Sequence, residues 1–207
     1  MRIWLRLAAL AATSIALAAC GGRTAPAPKL PPPPPGNASE LAAALHSGGY
    51  VLFVRHAATD RDKDNPRVDI DDCTTQRSLS PAGQAQAQAI AAGLKRLHIP
   101  IGQVRASPYC RAADTARLAF GYMLLDDDLR PLRDGEAAAR LAAARRLLAT
   151  PPLPGKNTAL VGHADTFKKL AGFELGDAEM AIVRPNPDGK NWTLLGRIGP
   201  EQWAAMR

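Results

Sequence analysis

Short apolar runs alternate with amphipathic stretches along most of the chain. Residues 50–54 and 157–162 are mostly apolar runs of the kind that parallel sheets bury on both faces. The Ser-Pro pairs at 80–81 and 107–108 each combine a favoured N-cap residue with proline at the first helical position. This order predicts an α/β domain, a three-layer α/β/α sandwich around a mostly parallel central sheet. The predicted strands are residues 50–54, 101–106, 157–162, 180–184 and 192–198. The predicted helices begin at Ser39, Ser80 and Ser107 and near residues 136 and 165.

Basic side chains follow two of these strands at their carboxyl ends. Arg55 and His56 come after the first apolar run, and His163 comes after the run that ends at residue 162. Ligands of open α/β sheets bind beyond the carboxyl ends of the strands, so we expect one shared site there. Arg111 lies in the first turn of the helix predicted at Ser107, where backbone N–H groups and the helix dipole favour an anion. Guanidinium groups match phosphate oxygens, and the set therefore predicts a phosphate site.

The segment between the first strand and the second helix is polar. Residues 57–78 carry six aspartates, which predicts an excursion or a lid. Cys73 lies in this segment, and Cys110 stands beside Arg111. An exported domain permits a disulfide between the two cysteines, but their spacing does not decide whether they pair. Cys110 can equally be a small buried apolar side chain.

The first 38 residues have a different pattern. Residues 1–19 begin with Arg2 and Arg6 and continue as an uncharged apolar run, which predicts a secretory signal peptide and is short for a membrane span. The four residues that end at Cys20 resemble a bacterial lipobox. The resemblance implies cleavage before Cys20 and lipidation of Cys20, whose acyl chains would hold the protein on a membrane. The alternative is an ordinary cleaved signal.

A proline-rich tether is predicted to follow the lipidated cysteine, over residues 20–38. The five consecutive prolines at 31–35 favour polyproline II, a semi-rigid spacer without a core of its own. A ligand for an SH3-like domain is the alternative function of this segment. The folded domain is then predicted over residues 39–207.

Composition narrows the class of partner. Hydrophobic residues make up 46% of the 207 residues and charged residues 22%, which excludes a wholly disordered chain. The net charge of +7 suggests nucleic acid, anionic lipid or phosphorylated substrates. Loss of Arg2 and Arg6 with the signal leaves +5, and the chain has no long basic run and only 5% aromatic residues. Nucleic-acid binding is therefore not expected.

Four stretches in order resemble motifs of the histidine phosphatase superfamily, and the ordered set is far more specific than any one of them. They are residues 52–57 (LFVRHA), 79–87 (LSPAGQAQA), 107–116 (SPYCRAADTA) and 160–163 (LVGH). The family's usual glycine after Arg-His is Ala57 here. The resemblance implies a phosphoglycerate mutase-like fold, and the short chain is similar to the small SixA-like branch.

The resemblance also implies a mechanism. His56 is the expected nucleophile, which takes the phosphoryl group as a phosphohistidine that water then hydrolyses. Arg55, Arg111 and His163 are expected to bind the phosphoryl oxygens and neutralise their charge, with His163 also counted as catalytic. No metal and no other cofactor is expected.

The general acid is the weakest part of this resemblance. Family members place a carboxylate either in a segment after the S-P-x-x-R motif or directly after the second histidine. Here Ala164 follows His163, and the tentative acids are Glu136 and Asp165. Glu136 can instead be a solvated residue at a helix start, and Asp165 can cap the next helix. SixA-like members are thought to act without a strong acid because phosphohistidine carries a good leaving group.

Three functions fit these observations. The first is an envelope-tethered phosphohydrolase that faces the periplasm and is anchored to a bacterial membrane by lipid. Its substrate would be a phosphorylated small molecule or an envelope component. The second is a catalytically weak or inactive phosphate-binding lipoprotein. A phosphoglycerate mutase is a third possibility, although that activity needs a general acid and longer closing segments.

Overall fold

A six-stranded sheet in the order β3-β2-β4-β1-β5-β6 forms the centre of the computed structural model, which describes residues 37–60, 64–132 and 136–206. The predicted signal peptide, Cys20 and nearly all of the tether lie outside these residues. The strands are β1 Val51–Arg55, β2 Ile101–Ala106, β3 Leu124–Leu125, β4 Asn157–Gly162, β5 Met180–Pro185 and β6 Trp192–Ile198. The helices are α1 Ala38–His46, α2 Pro81–Arg96, α3 Cys110–Phe120, α4 Ala137–Ala149, α5 Ala164–Ala171 and α6 Gln202–Ala205.

The sheet is mostly parallel, as predicted. β1 and β4 are parallel neighbours at its centre, and β2 and β3 continue in parallel on the β4 side. β5 and β6 are antiparallel additions on the β1 side. The register pairs Arg55 with Gly162, so the two central strands end side by side. The residues that follow them are therefore neighbours in space.

Helices cover both faces of the sheet and make the three predicted layers. Leu52 and Val54 of β1 belong to the core under α1, α2, α3 and α6. Val51 and Phe53 point the other way, into the core under α4 and α5. This alternation explains why β1 reads as a continuous apolar run: both of its faces are buried.

Of the three serine N-caps predicted from sequence, one is observed. Ser80 caps α2, because its Oγ accepts a hydrogen bond from the Gly83 N–H at 3.0 Å. The prediction for Ser39 is wrong, since Asn37 is the N-cap and its Oδ1 accepts from the Ser39 N–H at 3.1 Å. The prediction for Ser107 is also wrong, since α3 begins only at Cys110. The Ser107 hydroxyl accepts from the Tyr109 N–H at 3.3 Å, before the helix, and also bonds to a histidine.

Two short elements were not predicted. β3 is a two-residue edge strand whose leucines are both exposed. It therefore lacks the alternation of buried and exposed residues by which a strand is predicted. α6 is a single turn near the C-terminus that buries Trp203 against α2. A Cβ on Gly93 of α2 would lie 2.5 Å from the Trp203 ring, which explains a glycine inside that helix.

The described part of the polar segment at 57–78 is fastened to the start of α3. Cys73 and Cys110 form a disulfide, which decides the pairing that the sequence left open. Beside it, the buried Gln76 side chain accepts a hydrogen bond from the Cys110 N–H at 2.9 Å. The Gln76 amide also donates to the carbonyl oxygens of Asp69 and Ile70, so it holds the loop together as well.

Removing the disulfide is expected to destabilise the domain. The bridge spans 37 residues, and closing a loop of that size in the unfolded chain corresponds to about 3 to 4 kcal/mol. In a Cys73→Ser, Cys110→Ser double variant the free energy of unfolding should be lower by that amount. Its midpoint of denaturant unfolding should therefore fall as well. Reductant should shift the wild-type midpoint towards that of the variant and leave the variant unchanged. Equal midpoints for oxidised wild type and variant would contradict the expectation.

None of the helices in the described part of the chain has the length and apolar character needed to span a bilayer.

Candidate active site

His56 stands at the carboxyl end of β1, and both of its backbone groups are fixed. Its N–H donates to the Gly162 carbonyl at 3.0 Å, and its own carbonyl accepts from Ala178 at 3.3 Å. The ring is buried, and Nδ1 lies 2.9 Å from the Ala57 carbonyl oxygen. A carbonyl can only accept, so Nδ1 carries the proton and Nε2 keeps the lone pair of the neutral ring.

The surroundings of His56 keep it neutral. Its pKa is lowered to about 3, mainly by burial; the nearby guanidinium groups of Arg111, Arg55 and Arg77 also lower it, and the hydrogen bond to the Ala57 carbonyl opposes them. The ring is therefore an uncharged base at any physiological pH. An unprotonated ring nitrogen is what a nucleophilic histidine requires.

The second histidine lies against the first. His163 follows β4 and is buried, and its ring centroid is 5.4 Å from that of His56 with the planes at 64°. Its Nε2 forms a hydrogen bond with the Ser107 hydroxyl at 2.9 Å. The Tyr109 ring meets His163 edge-on, with centroids 5.4 Å apart. The parallel pairing of β1 with β4 thus brings together the two histidines that sequence placed at strand ends.

Arg111 is fully buried in the first turn of α3. Its guanidinium carbon lies 4.4 Å from the centroid of the Tyr109 ring, a stacking geometry that fixes the plane of the group. Nη1 donates to Asp64 Oδ1 at 3.0 Å. Because Arg111 contributes to the lowered pKa of His56, its charge acts within the same pocket.

Arg55 also acts on His56 electrostatically, but its terminal nitrogens are engaged elsewhere. Nη1 donates to the Leu175 carbonyl at 2.7 Å, and Nη2 pairs with Asp177 Oδ1 at 2.9 Å. These contacts tie the side chain to the segment before β5. The structure therefore places the Arg55 charge beside the site, while its two terminal nitrogens bind the segment before β5.

Comparison with known proteins agrees with this geometry. Residues 51–137 match the model of the histidine phosphatase superfamily, branch 1. No curated protein matches the sequence.

Solved structures share the fold at low sequence identity. The protein histidine phosphatase SixA complexed with tungstate is 19% identical, with a TM-score of 0.54 over 74% of this chain and 98% of that chain. A phosphoserine phosphatase mutant from Entamoeba histolytica with phosphoserine is 14% identical, with a TM-score of 0.52 over 73% and 98%. A mycobacterial glucosyl-3-phosphoglycerate phosphatase with VO3 is 18% identical, with a TM-score of 0.52 over 72% and 98%. The α/β fold of these phosphatases is therefore the fold of this chain.

Arg77 and Asp64 also belong to the candidate site, although the sequence did not indicate them. Arg77 is one of the cations that lower the pKa of His56, and its Nη1 lies 3.5 Å from the Thr59 hydroxyl. Asp64 accepts from the Arg77 N–H at 3.0 Å as well as from Arg111. Arg77 stands two residues before the motif at 79–87, and this proximity could have marked it as a candidate for the site. Nothing local distinguishes Asp64 from the other aspartates of its segment.

The two tentative acids have different surroundings. Glu136 precedes α4 with φ 48°, its side chain is 80% exposed, and it lies 3.8 Å from Arg140. Asp165 lies in the first turn of α5, where its Oδ2 accepts from the Leu132 N–H at 2.9 Å and its Oδ1 from the Thr166 N–H at 2.8 Å. Asp165 thereby joins α5 to the segment before Glu136. A general acid at either position stays a prediction.

The arrangement suits an anion. Among the described residues, a neutral imidazole stands with three guanidinium groups and a second imidazole, and the two histidines and Arg111 are buried. Electrostatic stabilisation is strongest in such a preorganised site. In the described residues, no group of three or more His, Cys, Asp or Glu side chains is placed to hold a metal ion.

Proposed function

We propose that the protein is a phosphohydrolase that removes a phosphoryl group through a phosphohistidine on His56. One observation carries the proposal: the buried, uncharged His56 ring with its proton on Nδ1, beside His163 and within the field of Arg111. A neutral nucleophile amid fixed positive charge is suited to attack on a phosphoryl group and unsuited to binding a cation.

In the proposed first step, His56 Nε2 donates its electron pair to phosphorus. A P–N bond forms while the bond from phosphorus to the leaving group breaks, and the leaving group departs with that bond's electron pair. Water then attacks the phosphohistidine, which releases inorganic phosphate and restores the neutral ring. Arg111, Arg77 and Arg55 offset the charge on the phosphoryl oxygens, and His163 borders the same pocket. The step uses no metal or other cofactor.

The proposed substrate is a phosphorylated small molecule or a phosphorylated envelope component. The similar structures contain tungstate, phosphoserine or VO3, which is consistent with a pocket for a phosphoryl group. Without an assigned general acid, turnover depends on the leaving group. Aryl phosphates, whose leaving groups need little protonation, and phosphohistidine, whose protonated ring leaves as neutral imidazole, are expected to react faster than alkyl phosphates.

A catalytically weak or inactive phosphate-binding lipoprotein is the alternative. Two observations favour it: Arg55 has both terminal nitrogens engaged with Leu175 and Asp177, and Glu136 is exposed. A phosphoglycerate mutase has less support, since it also needs an acid. Hydrolysis of an activated aryl phosphate that is lost in a His56→Ala variant separates the first two hypotheses. Equal inertness of both proteins on several phosphate classes would favour the binding protein.

We further propose that the protein is tethered to the bacterial cell envelope and faces the periplasm. The proposal rests on the signal-like residues 1–19 and the lipobox-like sequence at Cys20. A Cys20→Ala variant is expected to leave the membrane fraction and appear in the soluble periplasmic fraction. A Cys73→Ser, Cys110→Ser variant, which keeps Cys20 and loses only the disulfide, should stay with the membrane. Unchanged membrane retention of the Cys20→Ala variant would count against the lipid anchor.

A further inference from the structure

A carboxylate is built into the phosphate pocket. Asp64 lies in the segment between β1 and α2, and only 9% of its side chain is exposed. Its Oδ1 accepts a hydrogen bond from Arg111 Nη1 at 3.0 Å and another from the Arg77 N–H at 3.0 Å. Arg77 Nε lies 3.7 Å from the same oxygen. One buried negative charge is therefore shared between two of the cations around His56.

The surrounding segment is held against α3. Two contacts attach the segment to Cys110, the residue directly before Arg111. They are the disulfide from Cys73 and the hydrogen bond that Gln76 accepts from the Cys110 N–H. Asp64 in turn is joined to the backbone of Arg77, next to Gln76. The contact between Asp64 and Arg111 is thus part of a fixed arrangement.

Arg111 is positioned by more than Asp64. Its backbone belongs to α3, its guanidinium stacks on the Tyr109 ring at 4.4 Å, and its side chain is fully buried. Loss of the negative charge alone, with the shape of the Asp64 side chain kept, should therefore leave the guanidinium in place. The main effect of Asp64 on an anion in the pocket is consequently electrostatic.

Among the residues that the structure describes, two carboxylates pair with the three arginines around His56. Asp177 pairs with Arg55, and Asp64 pairs with Arg111 and Arg77. A phosphate dianion that contacts Arg111 is repelled by the carboxylate at 3.0 Å from the same guanidinium, and in a buried pocket this repulsion is only partly screened. The pocket is therefore less attractive to a dianion than its arginines alone would make it.

We propose that Asp64 is a specificity-determining residue that lowers the affinity of the pocket for the phosphate dianion. It favours phosphoryl groups of lower negative charge, and it limits how tightly inorganic phosphate is held. The second consequence rests on the proposed function, in which phosphate is the product. The first concerns binding alone and stands without turnover.

Calorimetric titration with inorganic phosphate at a mildly alkaline pH tests the proposal on the whole protein. An Asp64→Asn variant keeps an oxygen that can accept from Arg111 and removes the charge, so it should bind phosphate about tenfold more tightly than wild type. Asp71→Asn removes an exposed carboxylate from the same segment and should change the affinity by less than about twofold. Equal or weaker binding by Asp64→Asn would overturn the proposal, because a structural role for Asp64 predicts that direction.

Thermal melting shows whether each variant is folded, and an Asp64→Ser variant replaces Asp64→Asn if the latter is not. Asp64→Glu keeps the charge and should not bind phosphate more tightly than wild type. Tighter binding by Asp64→Asn in a protein without turnover would support the role of Asp64 and count against the phosphohydrolase. Absence of phosphate binding in every variant would overturn both.

Discussion

A His56→Ala variant is expected to lose hydrolysis of an activated aryl phosphate by roughly a thousandfold or more, because the atom that takes the phosphoryl group is gone. The loss should fall on kcat and on kcat/KM together, and phosphate binding should persist since the arginines remain. His46, at the exposed end of α1, provides the matched control, and His46→Ala should keep full turnover. Wild-type turnover in the His56→Ala variant would exclude a phosphohistidine at this position.

The same variant carries a second readout, in stability. Burial lowers the pKa of folded His56 from 6.5 to about 3, so the unfolded chain binds a proton that the folded chain does not between those values. The stability of the wild type should therefore fall as the pH drops through that window, by up to about 1.4 kcal/mol per pH unit from this residue. His56→Ala lacks this contribution and should lose less stability on acidification. If the free energy of unfolding of wild type and of His56→Ala fell equally on acidification, the fold would not hold the ring neutral.

The central strands and the positions of the histidines were predictable from sequence because their signals are local and strong. β1 and β4 are buried on both faces, so they appear as apolar runs, and the residues that follow them must share one edge of a parallel sheet. What the sequence cannot supply is which of several equivalent side chains reaches a given partner.

The two Ser-Pro pairs illustrate this limit. Ser80 and Ser107 have the same local signal, yet only Ser80 caps its helix. The Ser107 hydroxyl bonds to His163, which is 56 residues away along the chain. The Ser107 hydroxyl still accepts from the nearby Tyr109 N–H, but outside the helix. No window around Ser107 reveals its second, distant partner.

The polar segment at 57–78 illustrates the same limit. Its polarity correctly indicated a departure from the sheet, but six aspartates of similar context gave no reason to choose Asp64. Asp64 matters because the segment is folded back onto α3 by the Cys73–Cys110 bridge and by Gln76, which are long-range contacts. The residues that join this segment to the start of α3 thus become visible only in the structure.

Replacing Arg111 is expected to have the second largest effect on activity. Arg111 is the fully buried cation of the pocket and acts directly on His56. Removing one preorganised charge of this kind typically lowers turnover by about 10²- to 10³-fold. An Arg111→Ala variant should therefore show a fall of that size in kcat/KM and markedly weaker inhibition by inorganic phosphate.

Folding must be separated from chemistry in this experiment, since Arg111→Ala leaves Asp64 buried without its 3.0 Å contact to the guanidinium. An Arg111→Ala, Asp64→Asn double variant removes both charges and should melt closer to wild type than the single variant. Arg111→Lys keeps a charge but lacks the planar fork, so its inhibition by phosphate should lie between those of wild type and Arg111→Ala. If a folded Arg111→Ala variant is inhibited by phosphate as strongly as wild type, Arg111 does not bind the phosphoryl group, and the anion pocket must be built from the other cations around His56.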